Sequence, residues 1–129
     1  MRRLGRFITD RGGAAAIEFA LIGLPLILLL LGLIEFGRGL HIRAGLDSAA
    51  DRVQRMILIN PAETIQKIEA EVQSSFQAGS IDRLNVALDP PLGGAFRTVI
   101  LSYDMTLIMP APIGGTVTIV SNRRVRINP

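Results

Sequence analysis

Residues 14–34 read AAAIEFALIGLPLILLLLGLI, a stretch with a single ionisable group, Glu18, and thirteen residues drawn from Leu, Ile and Phe. A helix of this length rises about 32 Å at about 1.5 Å per residue, close to the ~30 Å hydrocarbon core of a bilayer. Each large apolar residue favours insertion by about 0.3 to 0.6 kcal/mol, so their sum exceeds the cost of about 3 kcal/mol for one acid even if it were centrally placed. Glu18 lies near the end of the run, where the cost falls. Insertion is therefore expected despite Gly23, Pro25 and Gly32.

Two other readings of the run are weaker. A buried helix of a soluble core would normally leave one polar stripe for water, and residues 14–34 offer none. A cleaved secretory signal has an apolar region of about 7 to 15 residues and a small-residue cleavage site. Here the run is longer, and it exits through Glu35-Phe36-Gly37-Arg38. Arg2, Arg3, Arg6 and Arg11 precede the run with only Asp10 to oppose them. The positive-inside rule then predicts a cytoplasmic N-terminus and a single pass, with the remainder on the outer side.

Glu18 is the residue that such a helix least accommodates, because an acid at the lipid boundary must be protonated, paired or held at the interface. Its surroundings are Arg11-Gly12-Gly13, then Ala14-Ala15-Ala16-Ile17-Glu18-Phe19. This order resembles type IV prepilins and their pseudopilin relatives, in which a prepilin peptidase cuts after a glycine and the fifth mature residue is Glu. The resemblance implies a cleavage site at Gly13 and Ala14, with Glu18 and Phe19 serving processing and assembly. An amino group created at Ala14 would lie on the same helical face as Glu18, where a cation offsets the carboxylate. The simpler account of Glu18 is an acid in a first helical turn, favoured by the helix dipole.

Farther along, Gly32-Leu33-Ile34-Glu35-Phe36-Gly37-Arg38 and Ala49-Ala50-Asp51-Arg52 are similar to the TadE-like family of the tight-adherence, or Flp-type, pilus apparatus. The similarity covers about residues 11–56 well and the remainder only in layout. It implies an assembly role with four kinds of partner: the prepilin peptidase, the major pilin, a sibling pseudopilin and the inner-membrane assembly machinery. The expected organisation is a basic leader over 1–13, a transmembrane helix over 14–36 and an extracytoplasmic domain over 37–129. The rival reading keeps the leader, as the anchor of a periplasmic ligand-binding module.

Beyond the span, Ile42, Leu46, Ala49, Ala50, Val53 and Ile57 fall on one helical stripe, so the helix is expected to continue to residue 59. Arg43 with Asp47 and Asp51 with Arg55 are spaced as i,i+4 ion pairs on its charged face. Bends are expected at Pro25 and near Gly37, Gly39 and Gly45. Asn60-Pro61-Ala62-Glu63 reads as the start of a second helix, running to about Ala78 with Ile65, Ile68, Val72 and Phe76 inward and Gly79 as its terminator. Residues 89–94 read as a loop. Apolar alternation over 98–109 and 116–127, separated by a turn over 110–115, predicts antiparallel strands. The fold class is therefore α+β: a long N-terminal helix, a second helix and a small C-terminal antiparallel sheet.

Little else in the chain suggests chemistry. There is no cysteine, and the lone histidine, His41, has no acid cluster at ligand spacing. Asp82, Asp89 and Asp104 are scattered, and the glycine pairs lack the Lys and Ser/Thr of a phosphate loop. An enzyme, a metal, a cofactor and a small-molecule substrate are not expected. Arg123, Arg124 and Arg126 are expected to lie on a solvated strand edge rather than on nucleic acid, because no aromatic residues interleave them.

Overall fold

The structure is a computed structural model that describes residues 12–89, 96–109 and 114–127. Helix α1 spans Gly12–Ile59, with Pro25 inside it. Helix α2 covers Ile65–Ser75, and a short 3-10 turn at Ile81–Arg83 leads into strand β1, Leu84–Asp89. Strands β2, Phe96–Thr106, and β3, Thr116–Arg126, follow. The three strands form one antiparallel sheet in the order β1-β2-β3. The architecture is α+β, with the long apolar helix first, as the periodicities predict.

The chain divides into two compact units, the first ending at Ile34 and the second beginning at Glu35. In the first unit, every residue over 13–34 is exposed or half-exposed, Phe19 at 77% and Leu21 at 69% among them. The second unit has a core of its own. Ile42, Leu46, Ala49, Ala50, Val53 and Ile57 of α1 are all buried, in the stripe the sequence spacing defines. Ile68 and Val72 of α2 join them, together with Phe76, Val99, Leu101, Tyr103, Met105 and Val125. Fully burying an aliphatic side chain of this kind contributes about 1.5 to 3 kcal/mol.

Strand β1 has no counterpart among the expected strands. Leu84, Val86 and Leu88 are half-buried and alternate with exposed Asn85, Ala87 and Asp89. The alternation is present in the sequence, but spans only six residues. The proposed loop over 89–94 begins at the last residue of β1, and its remainder lies outside the described residues, as do residues 110–113 of the expected hairpin turn. At the described edge of that turn, the Leu107 N–H donates to the Gly115 carbonyl at 2.8 Å.

The second helix is shorter than expected at both ends. The Asn60 carboxamide oxygen accepts the Ala62 N–H at 3.2 Å, and the Asn60 carbonyl accepts the Glu63 N–H at 3.1 Å. Asn60 thus closes a turn of its own, an established alternative to helix capping, and the helix begins only at Ile65 after the extended Thr64. At the far end Phe76 is extended, with φ −84° and ψ 108°, which turns its ring into the core beside Tyr103 at a centroid distance of 5.4 Å.

Gly79 is not the terminator, since the helix has ended at Ser75. Its role is to admit Tyr103: a Cβ built at Gly79 would lie 2.7 Å from the Tyr103 Cζ. Tyr103 in turn accepts the Ser80 N–H at 3.1 Å on its hydroxyl. Gly45 has a similar reason, because a Cβ there would stand 2.8 Å from the Ala78 Cβ, whereas one at Gly37 would meet nothing within 4 Å. Tight packing thus accounts for the first of these helix glycines and not for the second.

Two outcomes follow for stability. Gly79→Ala should destabilise the second unit by about 1 to 3 kcal/mol, the usual cost of overpacking, and by less in a Tyr103→Phe background, as read in a double-mutant cycle of denaturation midpoints. The Glu63 carboxyl is held below its ordinary range chiefly by the hydrogen bond from Lys67, with burial opposing and the charges of Lys67 and Arg97 and the Asn60 amide assisting. Because this folded-state pKa is depressed, its stabilisation is present above the unfolded value of about 4.3 and is lost as pH falls through the folded value. Glu63→Gln should flatten that acid limb of the stability–pH curve.

Candidate functional site

The residues singled out for processing and assembly lie at the start of α1. Helix α1 is described from Gly12 onward, and Gly13 and Ala14 are helical within it. Each glycine disfavours a helix by about 1 kcal/mol relative to alanine. Gly12 and Gly13 therefore lower the cost of opening α1 beside Ala14. Glu18 is exposed, and no ion-pair partner for it stands among the described residues. Phe19 is exposed and leans over Gly23, where a Cβ would come 3.7 Å from its ring. Residues 1–11 of the leader lie outside the described residues.

Around Glu18 the helix is apolar on every face. Ile17, Leu21, Ile22, Leu24, Leu26, Ile27, Leu29 and Leu30 are all exposed to 49% or more. None of its most apolar span-length window is buried. A core helix of a soluble domain would be mostly covered by its own chain, so this segment needs an apolar environment from outside. It is long and apolar enough to cross a membrane.

At the first turn of the second unit, Glu35 is 6% exposed, an unusual burial for a carboxylate. It is satisfied from two sides: Arg38 donates from Nη1 to Oε2 at 3.0 Å, and the Ile108 N–H donates to Oε1. Glu35 thereby ties the turn-proximal end of the β2–β3 hairpin to α1. The Arg38 half of this link was legible from i,i+3 spacing. The Ile108 half joins residues 73 apart in sequence and had no local signal. Beside it lies an open, mainly apolar groove whose lining includes Phe36, Leu40, Arg43, Leu107, Val117 and Ile119.

The basic C-terminal group does not form a simple solvated edge. Arg123 crosses to α1, its Nε 2.9 Å from the Asp51 Oδ1 and its Nη2 3.6 Å from the Asp47 Oδ1. Ser121 donates its hydroxyl to the same Asp47 oxygen at 2.6 Å. The Asp51 carboxylate is not paired with Arg55, whose Nε donates instead to the Asp51 carbonyl at 3.4 Å. The Arg43–Asp47 pair does form, at 3.9 Å. Arg124 stacks over the Phe96 ring at 4.2 Å, a cation–π contact on the sheet's outer face. Arg126 is exposed.

His41 is exposed. Asp82 lies in the 3-10 turn, Asp89 ends β1, and Asp104 accepts the Thr118 hydroxyl at 2.6 Å across the β2–β3 pair. Among the described residues, no three His, Asp or Glu side chains gather as a metal ion would require. Removing the Glu35 link by Glu35→Ala should cost about 1.5 to 3 kcal/mol, the range for hydrogen bonds to a charged group, and should accelerate amide exchange at Ile108 ahead of the rest of β2 and β3. Retained protection at Ile108 in that variant would contradict the link.

No curated protein and no solved structure matches the chain. The family model described as TadE-like protein matches residues 13–55, within α1 and about a third of the chain, and over that segment the chain is similar to that family.

Proposed function

We propose that the chain is a minor pseudopilin and assembly component of a tight-adherence, Flp-type type IV pilus system. The observation that carries this reading is a helical segment, residues 14–34, with no polar face and no cover among the described residues, lying within the TadE-like match. In this reading residues 1–13 are a leader, 14–36 span the bacterial inner membrane with the N-terminus cytoplasmic, and 37–129 form the periplasmic domain. From there the subunit is placed to enter the extracellular pilus. Its work is packing and not catalysis, and no cofactor or small-molecule substrate takes part.

A prepilin peptidase cuts after Gly13 and leaves an ammonium on Ala14, four residues before Glu18 and on the same helical face. That cation, from the same or a neighbouring subunit, offsets a carboxylate that the lipid boundary otherwise disfavours. Ala16 and Ala20, also four apart, keep one face narrow enough for close approach of a second helix. Major pilin, a sibling pseudopilin and the inner-membrane assembly machinery are the partners that this helix would pack with or be handled by.

Mass analysis of the protein expressed with its cognate peptidase tests the reading directly. A mature chain beginning at Ala14 is the expected product; a chain retaining residues 1–13 would favour the uncleaved anchor of a ligand-binding module instead. Glu18→Ala should insert as well as the natural chain or slightly better, while pilus assembly falls on the order of tenfold, the equivalent of about 1.4 kcal/mol. Failure of insertion in that variant would run against the proposal.

A further inference from the structure

The second unit exposes an apolar patch at one end. Phe36 is 65% exposed, Leu40 53%, Ile108 60% and Val117 44%. Phe36, Leu40 and Val117 line the open groove, and the Glu35 link places Ile108 at the same end of the hairpin. Arg43, on the groove's lining, and Arg38, beside Glu35, put guanidinium groups at its border.

What covers the patch follows from chain connectivity. Phe36 and Leu40 come two and six residues after Ile34, the last residue of the apolar run. Six helical residues extend only about 9 Å, and the headgroup layer on each side of the hydrocarbon core is roughly 5 to 8 Å deep. If residues 14–34 span a bilayer, this patch can hardly leave its surface. Arginines at the border suit that position, because their stems can lie along apolar surface while the guanidinium meets lipid phosphate.

Resting on the membrane part of the proposed function, we propose that Phe36, Leu40, Ile108 and Val117 form an interfacial membrane contact, seated at the headgroup–acyl boundary of a phospholipid bilayer. The periplasmic domain is then held against the membrane by its hairpin end as well as by its helix. The link from Glu35 to Ile108 maintains the four side chains as one surface.

The chain contains no tryptophan, so each introduced one is a unique reporter. Full-length Ile108→Trp and Val117→Trp, reconstituted in phosphatidylcholine vesicles brominated on the acyl chains near the headgroup, should show blue-shifted emission and roughly twofold or greater quenching, as expected for burial of about 5 to 10 Å. Ile59→Trp, 86% exposed and about 36 Å along the helix from Glu35, should be unquenched. Leu29→Trp reports on the span itself. Quenching at 29 without quenching at 108 and 117 overturns the interfacial contact and leaves the span intact; no quenching at any of them overturns both. Blue-shifted but unquenched emission at 108 and 117 also overturns the contact, because it means that protein, such as a second copy of the chain, covers the patch.

Discussion

A helix needs a polar stripe wherever it meets water, and α1 has one in only part of its length. Over residues 14–34 every face is apolar, and nothing among the described residues covers it. Over residues 42–57 the apolar residues narrow to one stripe and the other faces carry Arg43, Asp47, Asp51, Arg52 and Arg55. This change of pattern within a continuous helix sets the requirements on the remainder of the molecule. The first part must be solvated by lipid or by other helices, and the second must be covered by the chain's own α2 and sheet.

The second unit meets its requirement with a small core bordered by polar links. Leu46, Val53 and Ile57 are fully buried against a cluster that includes Ile68, Val72, Leu101 and Val125. Arg123 and Ser121 reach Asp47 and Asp51, while Glu35 holds the Ile108 amide. A partly exposed ion pair such as Arg123–Asp51 contributes about 1 kcal/mol or less. It lies on the face of β3 that buried Ser121 and Val125 already turn inward, and it adds a directional contact where apolar burial alone has no preferred geometry. The same links leave Phe36, Leu40 and Val117 uncovered beside the groove, where an external apolar environment can meet them.

Much of this was legible residue by residue. The 21-residue run needed only its length and lack of charge, and the α1 stripe needed only its period. Alternation over 98–109 and 116–127 pointed to β2 and β3, although β2 starts two residues and ends three residues earlier, at Phe96–Thr106. Strand β1 was missed because six residues give a weak period, and its pairing with β2 supplies what its own sequence does not. The start of α2 was misplaced because Asn60 and Pro61 suit both a helix cap and a turn. Only the hydrogen bonds actually made by Asn60 decide between them. Gly79 reads as a helix end because no sequence sign marks the Tyr103 ring beside it.

Sequence alone determined the apolar helix and the α+β class, because periodicity and hydropathy are local properties of a chain; Gly13, Ala14, Glu18 and Phe19 stand out in it only through the resemblance to type IV prepilins. Tertiary structure decided that Glu35 is buried on the Ile108 amide and that Arg123 leaves the strand edge for Asp47 and Asp51. It also gathered Phe36, Leu40, Ile108 and Val117 at one end of the second unit. The polar links join residues more than 70 positions apart, and a charge finds its partner through the packing of apolar faces that neither residue encodes.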